Sequence, residues 1–257
     1  MQKIWLFCIF VLFIYPHHAN AFSFSLRPYL GYAKVNMSEV DENNRFGINS
    51  LSNLVSQPLP LPEPFNGNLM GGIQIEYHYE NQYYLYFSTY YFQESSTVNY
   101  ENLLTNSTLK FFNDRNVELF EFSLGLKYFL KYSSWRPINF YVSGGAGFAL
   151  GGARSEFVYY DGKNSVNNKG NFNSSSLTAN FCIGLQFRFS HLFSLEVEAG
   201  YRQAHLQQME GVLEVQQNFP DLPDAKITAR DDNYRTDANY DFSGFFFNLG
   251  IGLYFQI

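Results

Sequence analysis

The residues able to do chemistry are few and scattered along the 257-residue chain. Ser190, His191, Ser194 and Glu196 fall close together. Serine, histidine and an acid are the parts of a nucleophilic triad, in which the base takes the serine proton and the acid orients the base. Here they fall on a short connection between two apolar runs, where a solvated turn histidine is expected instead. Asp237-x-Asn239-x-Asp241 alternates oxygen donors as a calcium loop does at its start. Phe242 stands where that loop needs glycine, however, and Asn248 where it needs glutamate. Segment 207–244 carries many acids against Lys226, Arg230 and Arg235, so a solvated acidic loop is expected, with weak divalent binding as the alternative. Pro58, Pro60, Pro62 and Pro64 alternate and imply a stiff extended spacer, or less simply a recognition segment. His78 and His205 have no partner legible in sequence. No cofactor and no metal is expected.

A second set of charges is more telling. Arg27, Glu76, Glu121, Lys127, Arg188, Glu196, Glu198 and Arg202 sit among Ser and Gly at alternate positions of segments whose other positions are bulky and apolar. Alternation with period two is the signature of strands. Eight such segments are expected: 22–33, 68–79, 82–93, 117–130, 138–150, 175–189, 194–206 and 245–257. Their connections alternate between short turns and long segments (34–67, 94–116, 151–174 and 207–244) rich in Asn, Ser, Asp and Pro. This predicts an all-β, eight-stranded, antiparallel up-and-down barrel over residues 22–257.

Composition of the two faces decides which one points inward. Roughly thirty Phe, Leu, Ile and Tyr side chains lie on one face, too many for the narrow interior of an eight-stranded barrel. The other face holds the charges, serines and glycines that such an interior accommodates. The apolar face must therefore meet lipid, and the charges must pair across the lumen, because an unpaired charge there is costly. A salt-bridge network filling the lumen is expected, with a gate or narrow ion path as the alternative. Tyr32, Tyr77, Tyr83, Tyr91, Tyr128 and Tyr201 near the strand ends suit interfacial girdles.

The N-terminal segment supports export. Lys3 precedes the apolar run Ile4 to Tyr15, Pro16 breaks it, and Ala19-Asn20-Ala21 offers a small-x-small cleavage pattern. A secretory signal peptide over 1–21 is expected, which removes Cys8 and leaves Cys182 unable to form an internal disulfide. Charged residues are only 16% of the chain, and the net charge of -6 disfavours nucleic acid as a partner.

The alternating strands, and above all a terminal strand ending Tyr254-Phe255-Gln256-Ile257, resemble the outer-membrane protein A-like and X-like eight-stranded barrels of Gram-negative bacteria. The resemblance implies residence in the outer membrane with both termini periplasmic, membrane lipid and lipopolysaccharide as neighbours, and the barrel-assembly machinery as a partner during biogenesis. The expected role is structural or adhesive, with the long loops contacting an extracellular ligand and no enzymatic activity. A narrow channel for small solutes is the first alternative, and a lipid A-modifying barrel enzyme the second.

Overall fold

The computed structural model describes residues 23–80, 82–103, 108–130, 137–221 and 226–256. The expected signal peptide, Phe22 and Ile257 lie outside the described residues. Among the described residues eleven strands and one helix follow in chain order: β1 (Ser23–Ala33), α1 (Ser38–Val55), β2 (Asn68–Glu80), β3 (Tyr83–Leu103), β4 (Thr108–Phe129), β5 (Ile138–Tyr160), β6 (Ser165–Arg188), β7 (Phe193–Leu206), β8 (Glu210–Asn218), β9 (Ile227–Arg235), β10 (Tyr240–Asp241) and β11 (Gly244–Gln256). β1 to β7 pair in sequence, β7 pairs with β11, and β11 returns to β1. Every pairing is antiparallel. The ring has eight strands and is closed.

Bulky apolar side chains stand outward around the ring. Leu30, Ile73, Phe87, Leu124, Phe140, Phe181, Leu249 and Ile251 are all exposed. An exposed apolar belt of this extent on a closed sheet belongs in hydrocarbon, where backbone polar groups must be satisfied within the barrel. The chain is a transmembrane β-barrel. Inside, the wall needs glycine where tyrosines lie flat against it. A Cβ at Gly125 would run into the Tyr86 ring, and one at Gly184 into the Tyr141 ring.

The segments expected as loops depart from that expectation. Strands of about 9–11 residues suffice to cross a bilayer, yet β3 to β6 have 21 to 24. Most of 94–116 and 151–174 is therefore strand, and 207–244 contributes the β8–β9 hairpin, which extends the sheet beyond β6. Segment 34–67 holds α1. Its Val40, Ile48 and Leu51 are buried, and it ends at Ser56 in the left-handed conformation (φ 52°) shortly before Pro58. Together these elements build a folded platform on the long-connection side of the membrane belt.

The reason the strands continue is visible in their apolar pattern, which changes sides at the belt's edge. In β4, Phe120, Phe122 and Leu124 face out, whereas Leu119, Val117, Phe111 and Leu109 are buried on the inner face. Exposed Leu69 is followed by buried Met70, and exposed Tyr91 by buried Phe92. Below the edge the inner face needs polar residues, and above it the same inner face is a core. Met37, Val40, Phe65, Met70, Phe92, Leu119, Leu206 and Phe242 belong to one apolar cluster above the lumen. Ile48, Leu51, Leu59, Phe111, Tyr159 and Phe219 form a second one between α1 and the extended sheet.

Candidate functional site

Five of the eight anticipated lumen charges meet in one buried cluster. Arg27 lies 2.9 Å from Glu196 and 2.7 Å from Glu198. Lys127 contacts Glu76 and lies 2.8 Å from Glu196. Neutral side chains complete the arrangement. The Tyr141 hydroxyl is 3.1 Å from Glu196 and 2.9 Å from Glu198. Gln74 accepts from Arg27 and donates to Glu76, Gln186 donates to Glu196, and Ser25 donates to Glu76. Gln74, Gln186 and Tyr141 were not singled out by charge, although they share the inward parity of the charged set.

Glu121 and Arg202 form a separate pair higher in the lumen, 3.9 Å apart. Thr178 donates to Glu121, and Arg202 donates to the Phe242 carbonyl while lying over the Tyr90 ring. The pair borders a cavity of about 50 Å³. That is wide enough for a few water molecules bridging the pair and too small for a permeating solute. Arg188 has the right parity but sits at the short-turn end of β6. There it donates to the Ser190 carbonyl and lies 4.8 Å from the Tyr254 ring centre. His78, partnerless in the sequence, stacks on Tyr84 at 3.8 Å between Ser23 and Ser25.

The other chemistry-bearing residues are otherwise engaged. The Ser190 hydroxyl accepts from the Leu192 and Phe193 amides, while Glu196 belongs to the lumen cluster, so no triad assembles there. Asn239 donates to Glu39 of α1, and Asp241 accepts from Ser243 and Asn36. That segment thus docks onto the platform. Among the described residues no group of three or more His, Cys, Asp or Glu is placed to hold a metal.

The platform has its own latch and its own cleft. Arg115 of β4 pairs with Asp41 of α1 at 2.8 Å, donates to the Glu63 carbonyl and lies over the Phe65 ring. Asp41 also accepts from the Phe65 amide, and Glu94 accepts from the Asn66 and Gly67 amides. The proline-rich segment is thereby a strap pinned across the barrel mouth. Beside it, a cleft of about 450 Å³ opens between α1 and the sheet, lined by Asn43, Asn44, Ile48, Leu51 and Leu54 against Phe157, Asn168, Gln217 and Phe219. Among the described residues, none that lines it is charged. Its size falls within the range of small-ligand sites, and its amide and apolar groups suit a neutral ligand. No sequence pattern marks it, because it forms only where the helix meets three strands.

No protein-family model matches the chain, and no curated protein matches it. Among solved structures, the attachment invasion locus protein of Yersinia pestis, in complex with the heparin analogue sucrose octasulfate, aligns over 92% of this chain and 99% of its own, at 12% identity and TM-score 0.39. Neisserial surface protein A aligns over 91% and 97%, at 12% identity and TM-score 0.37. The outer membrane protease OmpT from Escherichia coli aligns over 95% and 99%, at 9% identity and TM-score 0.29. The likeness is to outer-membrane barrels. At these identities it is a likeness of fold and assigns no role to any residue, and the closed ladder of this chain establishes the barrel by itself.

Proposed function

We propose that this protein is a non-enzymatic outer-membrane barrel that presents its platform outside the cell as a rigid surface for a binding partner. The observation that carries this reading is the platform itself. Its strands continue unbroken from the membrane wall, and α1 is docked on them by a second apolar core. Loops that serve only to link strands need no such core, whereas a preorganised binding surface gains from one because less ordering remains to be done on binding. The uncharged cleft between α1 and β5, β6 and β8 is the candidate docking point, and a neutral ligand group is its match.

The filled lumen speaks against the channel alternative. The ion cluster and the Tyr84–Phe129–Tyr141 group occupy its short-turn half, and an apolar plug caps its other end. Two measurements test the proposal together. Purified protein in planar bilayers is expected to hold no steady conductance. Proteoliposomes are expected to bind an array of neutral glycans or matrix proteins, with binding lost in Leu54→Glu while the barrel keeps its heat-modifiable gel migration. A stable open conductance, or binding indifferent to the cleft substitution, overturns it.

A further inference from the structure

Partway along its length β6 changes partner. On the membrane side it pairs with β7 as far as Thr178↔Ala204, and on the platform side it pairs with β8 from Asn173↔Glu210. Among the described residues, Ser174 to Leu177 meet no strand on that edge. The chain that passes opposite them turns away, with Met209 exchanging backbone and side-chain hydrogen bonds with Thr236. The result is an open groove of about 720 Å³ whose walls include Ser174, Ser175, Ser176, His205, Gln207 and Gln208. The Ser176 hydroxyl donates to the Leu177 carbonyl at 2.9 Å, and the other backbone groups facing an edge without a strand require other partners.

The groove lies at the upper limit of the lipid belt. Leu150, which faces Ser175 across the β5–β6 ladder, belongs to its lining, and Leu177, opposite Phe148, is 82% exposed just below it. Tyr32, Tyr91 and Tyr201 mark this level on β1, β3 and β7, the position at which aromatic residues meet headgroups. β5 and β6 have Leu150 and Leu177 there, with the groove directly above. An occupant that enters from the membrane with an acyl chain along Leu177 and Phe148 brings its headgroup into the groove.

The lining selects the headgroup. Among the described residues it contains hydroxyls, amides and imidazole but no Lys or Arg, and the acid among them, Glu210, is 2.6 Å from Arg235. Phosphate recognition relies on Arg or Lys. A ring of hydroxyls, each both donor and acceptor, fits this lining and the open strand edge. We infer that this seam is a binding site for the sugar headgroup of a membrane glycolipid. The inference extends the proposed outer-membrane location by naming one lipid contact, and its test does not depend on that location.

Full-length mature protein is reconstituted in nanodiscs of phosphatidylethanolamine, with or without a monoglucosyl diacylglycerol, whose headgroup is an uncharged sugar. Lipids retained after transfer to detergent are then quantified by mass spectrometry. The wild type is expected to retain the sugar-bearing lipid about tenfold over phosphatidylethanolamine. Those amides of Ser174 to Leu177 that face the open edge, and not those already directed at β5, are expected to exchange more slowly when that lipid is present. Filling the groove from either wall, with Ser175→Trp or Gln208→Trp, is expected to abolish both effects while heat-modifiable migration persists. Equal retention of the two lipids, or full retention in both filled variants, overturns the inference. Since the nanodisc composition is imposed, such a failure leaves the outer-membrane location to be judged by cell fractionation.

Discussion

Lys127 is fully buried between two carboxylates, in contact with Glu76 and 2.8 Å from Glu196, with the Tyr141 ring centre 4.4 Å from its ammonium. A buried ion pair contributes little net stability relative to well-packed apolar residues, but removing one partner strands the other at a cost of about 3–5 kcal/mol. Lys127→Met is accordingly expected to lower the urea midpoint of the folded, heat-modifiable form by an amount in that range. The double variant K127M/E76Q, which also removes one orphaned carboxylate, should recover a substantial part. An unchanged midpoint in the single variant would mean that the charges are solvated and the lumen is wet. Of the eight charges legible by parity, Arg188 shows what parity lacks. It states which face a side chain takes and says nothing of depth along the strand, so a residue at the turn end shares its pattern with one at the centre. The neutral bridges Gln74, Gln186 and Tyr141 hold the carboxylates as closely as the cations do, and only three-dimensional proximity identifies them.

At the level of elements, one ion pair and two apolar contacts stand out among the hydrogen bonds and packing that hold α1 and its strap. Arg115 and Asp41 join the barrel wall to the helix, and Phe65 and Leu59 anchor the strap in the two platform cores. Asp41→Ala leaves the Arg115 guanidinium largely buried without its charge partner, a loss of about 1.5–3 kcal/mol for a hydrogen bond to a charged group. Limited proteolysis of the purified protein should then cut within 38–67 at protease levels the wild type resists, while β3 to β6 stay intact. Cleavage at the wild-type rate would show that apolar packing alone holds the helix. The eight strands and their order were readable because a lipid face and a lumen face alternate with no interruption. The platform was hidden for a physical reason. The apolar face switches sides between Phe120 and Leu119 and between Tyr91 and Phe92, so a scan that follows one face finds the pattern ending where the strand continues. Helix α1 was hidden because its buried stripe, Val40, Ile48 and Leu51, is sparse and set among Asn and Ser.

For the whole molecule, the same switch fixes where the bilayer sits. Below it, the outward positions are largely apolar, and outward Thr89 turns its hydroxyl onto the Ile73 carbonyl; above it, the apolar residues have turned inward to the platform cores. A charge should therefore be penalised by depth. Leu124, midway between Phe120 and Tyr128 on β4, lies near the centre of the belt, whereas Tyr91 lies at its edge. Leu124→Arg is expected to cost about 2–4 kcal/mol, and Tyr91→Arg about 0–1 kcal/mol, read as unfolding midpoints in lipid vesicles. Equal costs at the two positions would displace the belt from the level assigned to it. The continuity of β4 and β5 from the bilayer to the platform has a mechanical consequence. Their ladder runs without a joint from Phe129↔Tyr141 to Lys110↔Tyr160. A partner that pulls on the β5–β6 tip loads this ladder along the strand axis, so that many hydrogen bonds share the force in shear instead of opening one at a time. Tension applied to the platform is thus delivered straight into the membrane-embedded wall, and along this ladder no hinge lies between the two.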